Sequence, residues 1–148
     1  TGGDILTPEN REKYKQLKIM DITQWLKEVV LPRIKVIRPK NRILLHPTCS
    51  CQIMGLTPVL LDIARKCARE VILPDNWGCC GASGDRGFIF PELSDSATRD
   101  ERDEIGHESF DGCYSLARTC EIAMQDHIEQ PYESIVYLVD ETIQDQGT

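Results

Sequence analysis

From residue 21 to residue 143 the apolar positions recur in two rhythms, short unbroken runs and stripes at helical spacing. Ile22, Trp25, Leu26, Val29 and Val30 form the first stripe behind Asp21 as a cap, and Pro32 ends it. The run "RILLHP" at 42–47 is short, apolar and stopped by Pro47, which predicts a buried strand. Thr57 as N-cap and Pro58 at the first helical position open a second helix, with Val59, Leu60, Ile63, Ala64 and Cys67 on one face. Cys67 is thereby assigned to the core. A second strand follows in "EVILPD" at 70–75. Pro91 to Ile105 reads as a polar, exposed helix and Ser109 to Cys113 as a strand-like piece. Ser115 to Glu129 and Pro131 to Ile143 read as helices, although "SIVYLV" within the latter has the composition of a strand.

Strands alternating with helices imply an α/β domain whose mainly parallel sheet is flanked by helices. In such sheets, sites form at the carboxyl ends of the strands. The cysteines fall there: Cys49 and Cys51 after the first strand, Cys79 and Cys80 after the second, and Cys113 to Cys120 after the third.

Composition narrows the class. Hydrophobic residues make up 41% and charged ones 28% of 148 positions, and no apolar run is long enough to span a bilayer. A water-soluble, cytoplasmic protein is expected, with peripheral attachment at the inner membrane as the variant. Residues 1–20, opening "TGGDILTPEN" without a methionine, read as an expression scar or lead-in segment, and 21–148 as a single cysteine-rich domain cut from a longer chain. The net charge of −7 argues against a nucleic-acid partner. That charge is divided: residues 1–90 carry 14 Lys/Arg against 9 Asp/Glu, whereas 91–148 carry 3 against 15. The basic stretch from Arg33 to Arg42 is accordingly expected either to pack on the acidic half or to face a neighbouring domain.

Seven cysteines is a high count for this length and, being odd, it rules out complete internal pairing. Cys49, Cys79, Cys80 and Cys120 converge if the sheet is as read. A thiolate-rich, oxygen-poor set selects an iron–sulfur cluster, with zinc as the alternative. Adjacent thiolates suit a cluster with several iron positions better than one tetrahedral ion. Gly81 supplies the freedom the turn needs. Within "WGCCGASGDRG", Gly81, Gly84 and Arg86 are loop-shaping residues that could also cradle an anion on exposed N–H groups. Thiol–disulfide exchange between Cys79 and Cys80 is a further reading, requiring a strained vicinal bridge.

The strings "HPTC" from His46, "CCG" at Cys79 to Gly81 and "RTCE" ending around Cys120 resemble the cysteine-rich CCG domain of the heterodisulfide reductase B-subunit and glycolate oxidase iron–sulfur subunit class. "HPTCSCQIMGL", "WGCCGASGDRGF" and "RTCEIAMQDHIEQPYESIVYLVDE" are more similar still to the C-terminal end of bacterial FAD-linked iron–sulfur D-2-hydroxyacid dehydrogenases, of the D-lactate and D-2-hydroxyglutarate type. The resemblance covers about residues 20 to 143. It implies an electron-relay domain that holds a metal centre through Cys49, Cys79, Cys80 and Cys120. It also implies partners in the same longer chain, an FAD domain and a ferredoxin-like segment, without which no turnover is expected. Substrate and electron acceptor are not written in these residues. The family pattern ends in Cys-x-x-Cys, and the first of those positions here is Ala117. Cys113, one helical turn before Ala117, substitutes only if the helix starts that early, and Cys51 is a second possible extra ligand. His46 is expected at a strand end, while His127 lies roughly 10 Å along the helix from Cys120, too far for a shared metal.

Overall fold

The computed structural model describes residues 7–143. Its framework is a four-stranded parallel sheet of order β2-β1-β3-β4, built from β1 (Lys40–Leu45), β2 (Ala68–Ile72), β3 (Gly112–Ser115) and β4 (Tyr132–Ser134). Side chains alternate across it as strand geometry requires. Ile43 and Leu45 enter one core with Leu60, Ile63, Cys67, Leu138 and Val139. Leu44 enters the other with Met124, Ile128, Tyr132 and the thiols of Cys80, Cys113 and Cys120. Helices therefore cover both faces, and the α/β expectation is met.

Each helix owes its place to local signals. α1 (Pro8–Gln16) buries nothing, and residues 1–6 of the expected lead-in lie outside the described residues. α2 (Ile22–Trp25) starts at a capping box formed by Asp21 and Gln24, and the chain continues in one wider turn at Leu26–Val30 and a tight one at Leu31–Arg33 that contains Pro32. α3 (Cys49–Ile53) is capped by Thr48, whose hydroxyl accepts from the Cys51 N–H at 3.2 Å. α4 (Thr57–Cys67) buries Leu60, Ile63, Ala64 and Cys67 as its stripe predicts, but Leu56 rather than Thr57 occupies the cap position. β2 begins directly after it, two residues earlier than the apolar run suggests.

α5 (Arg86–Ile89) and α6 (Pro91–Ile105) follow. α6 is not the exposed helix its polar sequence predicts. Ser94, Thr98, Glu101 and Ile105 form a buried face, because the glycine loop packs over Ser94, the Thr98 hydroxyl donates to the Ser94 carbonyl, and His46 partners Glu101. α7 (Arg118–Ile128) starts three residues later than expected, after β3, so Ala117 caps the helix and is not on its first turn. β4 interrupts the expected last helix, leaving α8 as Ile135–Ile143. Part of the basic stretch packs internally: Lys40 pairs with Glu141 at 2.7 Å, and Arg42 reaches Glu108 and Glu70. Arg33, Lys35 and Arg38 remain exposed. Among the described residues no helix is long and apolar enough to cross a membrane.

Candidate functional site: a thiol cluster at the strand ends

Parallel strands deliver their following loops to one end of the sheet, and three of these loops bring thiols together. Cys49 is the first residue of α3 after β1. Cys79 and Cys80 lie in the loop after β2, and Cys120 is in the first turn of α7 after β3. Cys80 and Cys120 are buried, their Sγ atoms in a 3.0 Å hydrogen bond, while Cys49 and Cys79 are exposed beside them. The four thiols feel one another: Cys49 and Cys79 both act electrostatically on Cys120, and Cys49 interacts with Cys79.

α6 organises this end of the molecule. Its Glu104 carboxylate accepts from the Asp75 and Asn76 N–H groups at 2.7 and 2.8 Å, fixing the chain before it reaches Cys79. Those bonds hold the Glu104 carboxyl below the usual carboxylate range. Gly81 then turns with φ +74°, and a Cβ there would sit 2.6 Å from the Leu93 carbonyl oxygen and 2.7 Å from Ser94 Cα. Only glycine meets both conditions. Gly84, at φ +78°, has open space around it, and Arg86 is exposed at the start of α5.

Behind the loop, His46 is fully buried, with Nδ1 3.0 and 3.1 Å from the two oxygens of buried Glu101. The Ser115 hydroxyl donates to the His46 carbonyl at 2.8 Å. Nε2 of His46 is buried without a protein partner. Glu101 carries no recognisable sequence signal: it is one acidic residue in a charged helix, 55 positions from its partner.

The electrostatics separate the two buried thiols. The hydrogen bond with Cys120 brings Cys80 down to about 6, helped by the Ala82 backbone and by His46 against the opposing effect of burial. Cys120 is correspondingly driven far up, by the same bond and by burial. The pair thus loses one proton readily and keeps the other. For Cys79 the Gly81 N–H at 3.4 Å favours the thiolate, but burial and its cysteine neighbours outweigh it and the thiol is raised.

The remaining candidates are elsewhere. Cys51 packs in the opposite core with Sγ 3.9 Å from Thr57 Oγ1, and burial raises its thiol. Cys113 belongs to β3, is buried with Sγ 3.8 Å from Gln130 Oε1, and is pushed up to about 12 by desolvation. Neither is an extra ligand. Cys67 is a core residue as expected.

This geometry overturns the metal reading. Among the described residues no group of three or more His, Cys, Asp or Glu side chains is arranged to hold a metal ion. Two thiolates on one tetrahedral zinc, at about 2.3 Å each, stand roughly 3.8 Å apart, and ligands to separate irons stand farther apart still. At 3.0 Å, Cys80 and Cys120 bond to each other instead. An iron–sulfur or zinc centre on Cys49, Cys79, Cys80 and Cys120, and the electron relay expected of it, do not fit these residues. All seven cysteines are free thiols.

The rim of this end is apolar. Ile53 and Met54 end and cap α3 at 86% and 53% exposure, and Phe88, Ile89, Phe90 and Leu93 project from α5 and the start of α6. Both groups leave the carboxyl ends of the adjacent strands β1 and β2. Beside Phe88 a recess of about 200 Å³ is lined by Pro91, Ser94, Ala123 and His127. Compared with protein-family models, curated proteins and solved structures, the chain gives no match.

Proposed function

We propose that this chain is an interaction module: a metal-free docking domain whose apolar rim seats on the flavin-bearing and ferredoxin-like parts of a longer oxidoreductase of the CCG-containing class it resembles. The observation that carries this is the exposure of Phe88, Ile89, Phe90 and Leu93 on consecutive turns beside a side-chain-sized recess. Contiguous apolar surface of this kind marks a site of protein contact, whereas scattered exposed apolar residues need no explanation. Aromatic and large aliphatic side chains next to a recess are also the anchors from which interfaces draw most of their affinity. Arg33, Lys35 and Arg38 are exposed ahead of the amino end of β1, away from this rim.

The test is association in trans with the separately expressed flavin and ferredoxin-like portion, followed by calorimetry. Phe88→Asp with Ile89→Asp should weaken binding by at least about tenfold while barely moving the melting point, since both side chains are solvent-exposed in the isolated chain. Unchanged affinity in the folded double variant would rule out this rim as the interface.

A further inference from the structure

We propose that Cys80 and Cys120 form a peroxide-oxidisable dithiol, which a hydroperoxide as small as hydrogen peroxide converts into a Cys80–Cys120 disulfide. The two sulfurs come from elements 40 residues apart and stand 3.0 Å from each other. A disulfide bond is about 2.05 Å long, so closure moves the sulfurs by roughly 1 Å in all. The adjacent pair Cys79–Cys80, by contrast, would have to bridge a single peptide link. Exposures of 4% for Cys80 and 7% for Cys120 admit a small oxidant and keep out bulky ones.

The surroundings favour a thiolate at this point. Ala117 provides no side-chain cap for α7, and Cys120 lies in its first turn, where the positive end of a helix favours a thiolate. Buried His46, held by Glu101 through Nδ1, lies near enough to Cys80 to favour its thiolate and has an unpartnered Nε2. A helix N-terminus and a histidine are among the neighbours that make cysteines reactive. Cys51, Cys67 and Cys113 have none of them and are raised by burial.

The chemistry balances in two steps. The Cys80 thiolate attacks one oxygen of hydrogen peroxide; the S–O bond forms, the O–O bond breaks and hydroxide leaves, giving a sulfenic acid. The Cys120 sulfur then attacks Cys80 Sγ; the S–S bond forms, the S–O bond breaks, and the departing hydroxyl leaves as water with the Cys120 proton. Two electrons pass from the dithiol to the peroxide, which ends as water and hydroxide.

To test this, the reduced chain is freed of reductant, exposed to hydrogen peroxide, unfolded in N-ethylmaleimide and mapped by peptide mass spectrometry. A Cys80–Cys120 crosslink should dominate, form at least about tenfold faster than oxidation of Cys67 or Cys113, and disappear on reduction. In Cys120→Ser, a dimedone-reactive sulfenic acid should accumulate at Cys80. A dominant Cys79–Cys80, Cys49–Cys79 or intermolecular bridge would overturn the proposal. So would Cys80 and Cys120 both remaining alkylatable after Cys49 and Cys79 have oxidised. The mapping is made on the unmutated chain, so the result does not depend on whether the variant folds.

Discussion

Replacing Gly81 by alanine probes the link between the glycine loop and the thiol cluster, because two costs fall on one atom. A left-handed φ of +74° costs an L-residue about 1–2 kcal/mol. The new Cβ also stands 2.6 Å from the Leu93 carbonyl oxygen and 2.7 Å from Ser94 Cα, both backbone, so α6 or the loop must shift. Forced displacement of this kind in a packed region costs typically about 1–3 kcal/mol. Alanine regains about 0.4–1 kcal/mol by restricting the unfolded chain. The net expectation is about 2–4 kcal/mol of destabilisation. Gly84→Ala is the matched control: φ is +78°, but nothing lies within 4 Å of its Cβ, leaving a net cost of about 1 kcal/mol or less. Urea unfolding in reductant, followed by tryptophan fluorescence, reads both, provided the slope is unchanged. Gly81→Ala should lose about 1–3 kcal/mol more than Gly84→Ala. Equal losses, or a larger loss for Gly84→Ala, would refute the claim that contact with α6, rather than φ alone, requires glycine at position 81.

Two further outcomes follow from the buried polar groups. Glu101→Ala leaves His46 without its partner and should cost about 3–5 kcal/mol in the same unfolding assay, against a smaller loss for Glu101→Gln, which keeps an acceptor for Nδ1. The thiol pair makes stability depend on pH with a definite sign. Because Cys80 is lowered to about 6 in the folded state, its contribution is present above the unfolded thiol range and is lost as pH falls through 6. Cys120 is raised, so its contribution is lost in the opposite direction, as pH climbs past the unfolded value. The pair therefore adds stability between about pH 6 and 8.5 and withdraws it at higher pH. The urea midpoint should rise over that interval, and Cys80→Ser should flatten the rise; a rise of the same size in the variant would assign it to other groups.

What could be read in advance followed locality. Ile43–Leu45 stopped by Pro47, and Pro58 ahead of one apolar stripe, are self-contained signals, and both elements stand where they indicate. The convergence of Cys49, Cys79, Cys80 and Cys120 was legible too, since a parallel sheet sends all its following loops to one end. Tyr132–Ser134 was not: three residues inside a helical stripe become a strand only because β3 offers its free edge. The polar face of α6 failed for the same reason. Ser94 is buried under the glycine loop and Glu101 by a histidine 55 residues away, and neither neighbour is visible in a local window. Cys113 does lie on a strand as its surroundings indicate, but β3 begins at Gly112, three residues later than the extended piece read from Ser109. Nor does spacing report how close two sulfurs come. The 3.0 Å contact that separates a hydrogen-bonded thiol pair from a pair of metal ligands is set by how the loop seats on α6 and α7.

The proposal that these thiols hold no metal is tested most directly by measuring iron, zinc and acid-labile sulfide per chain after anaerobic purification without chelators. Each should be well below one equivalent, with all seven cysteines titrating as thiols in denaturant. One or more equivalents of iron or zinc, retained through gel filtration and lost in Cys80→Ser or Cys120→Ser, would contradict it.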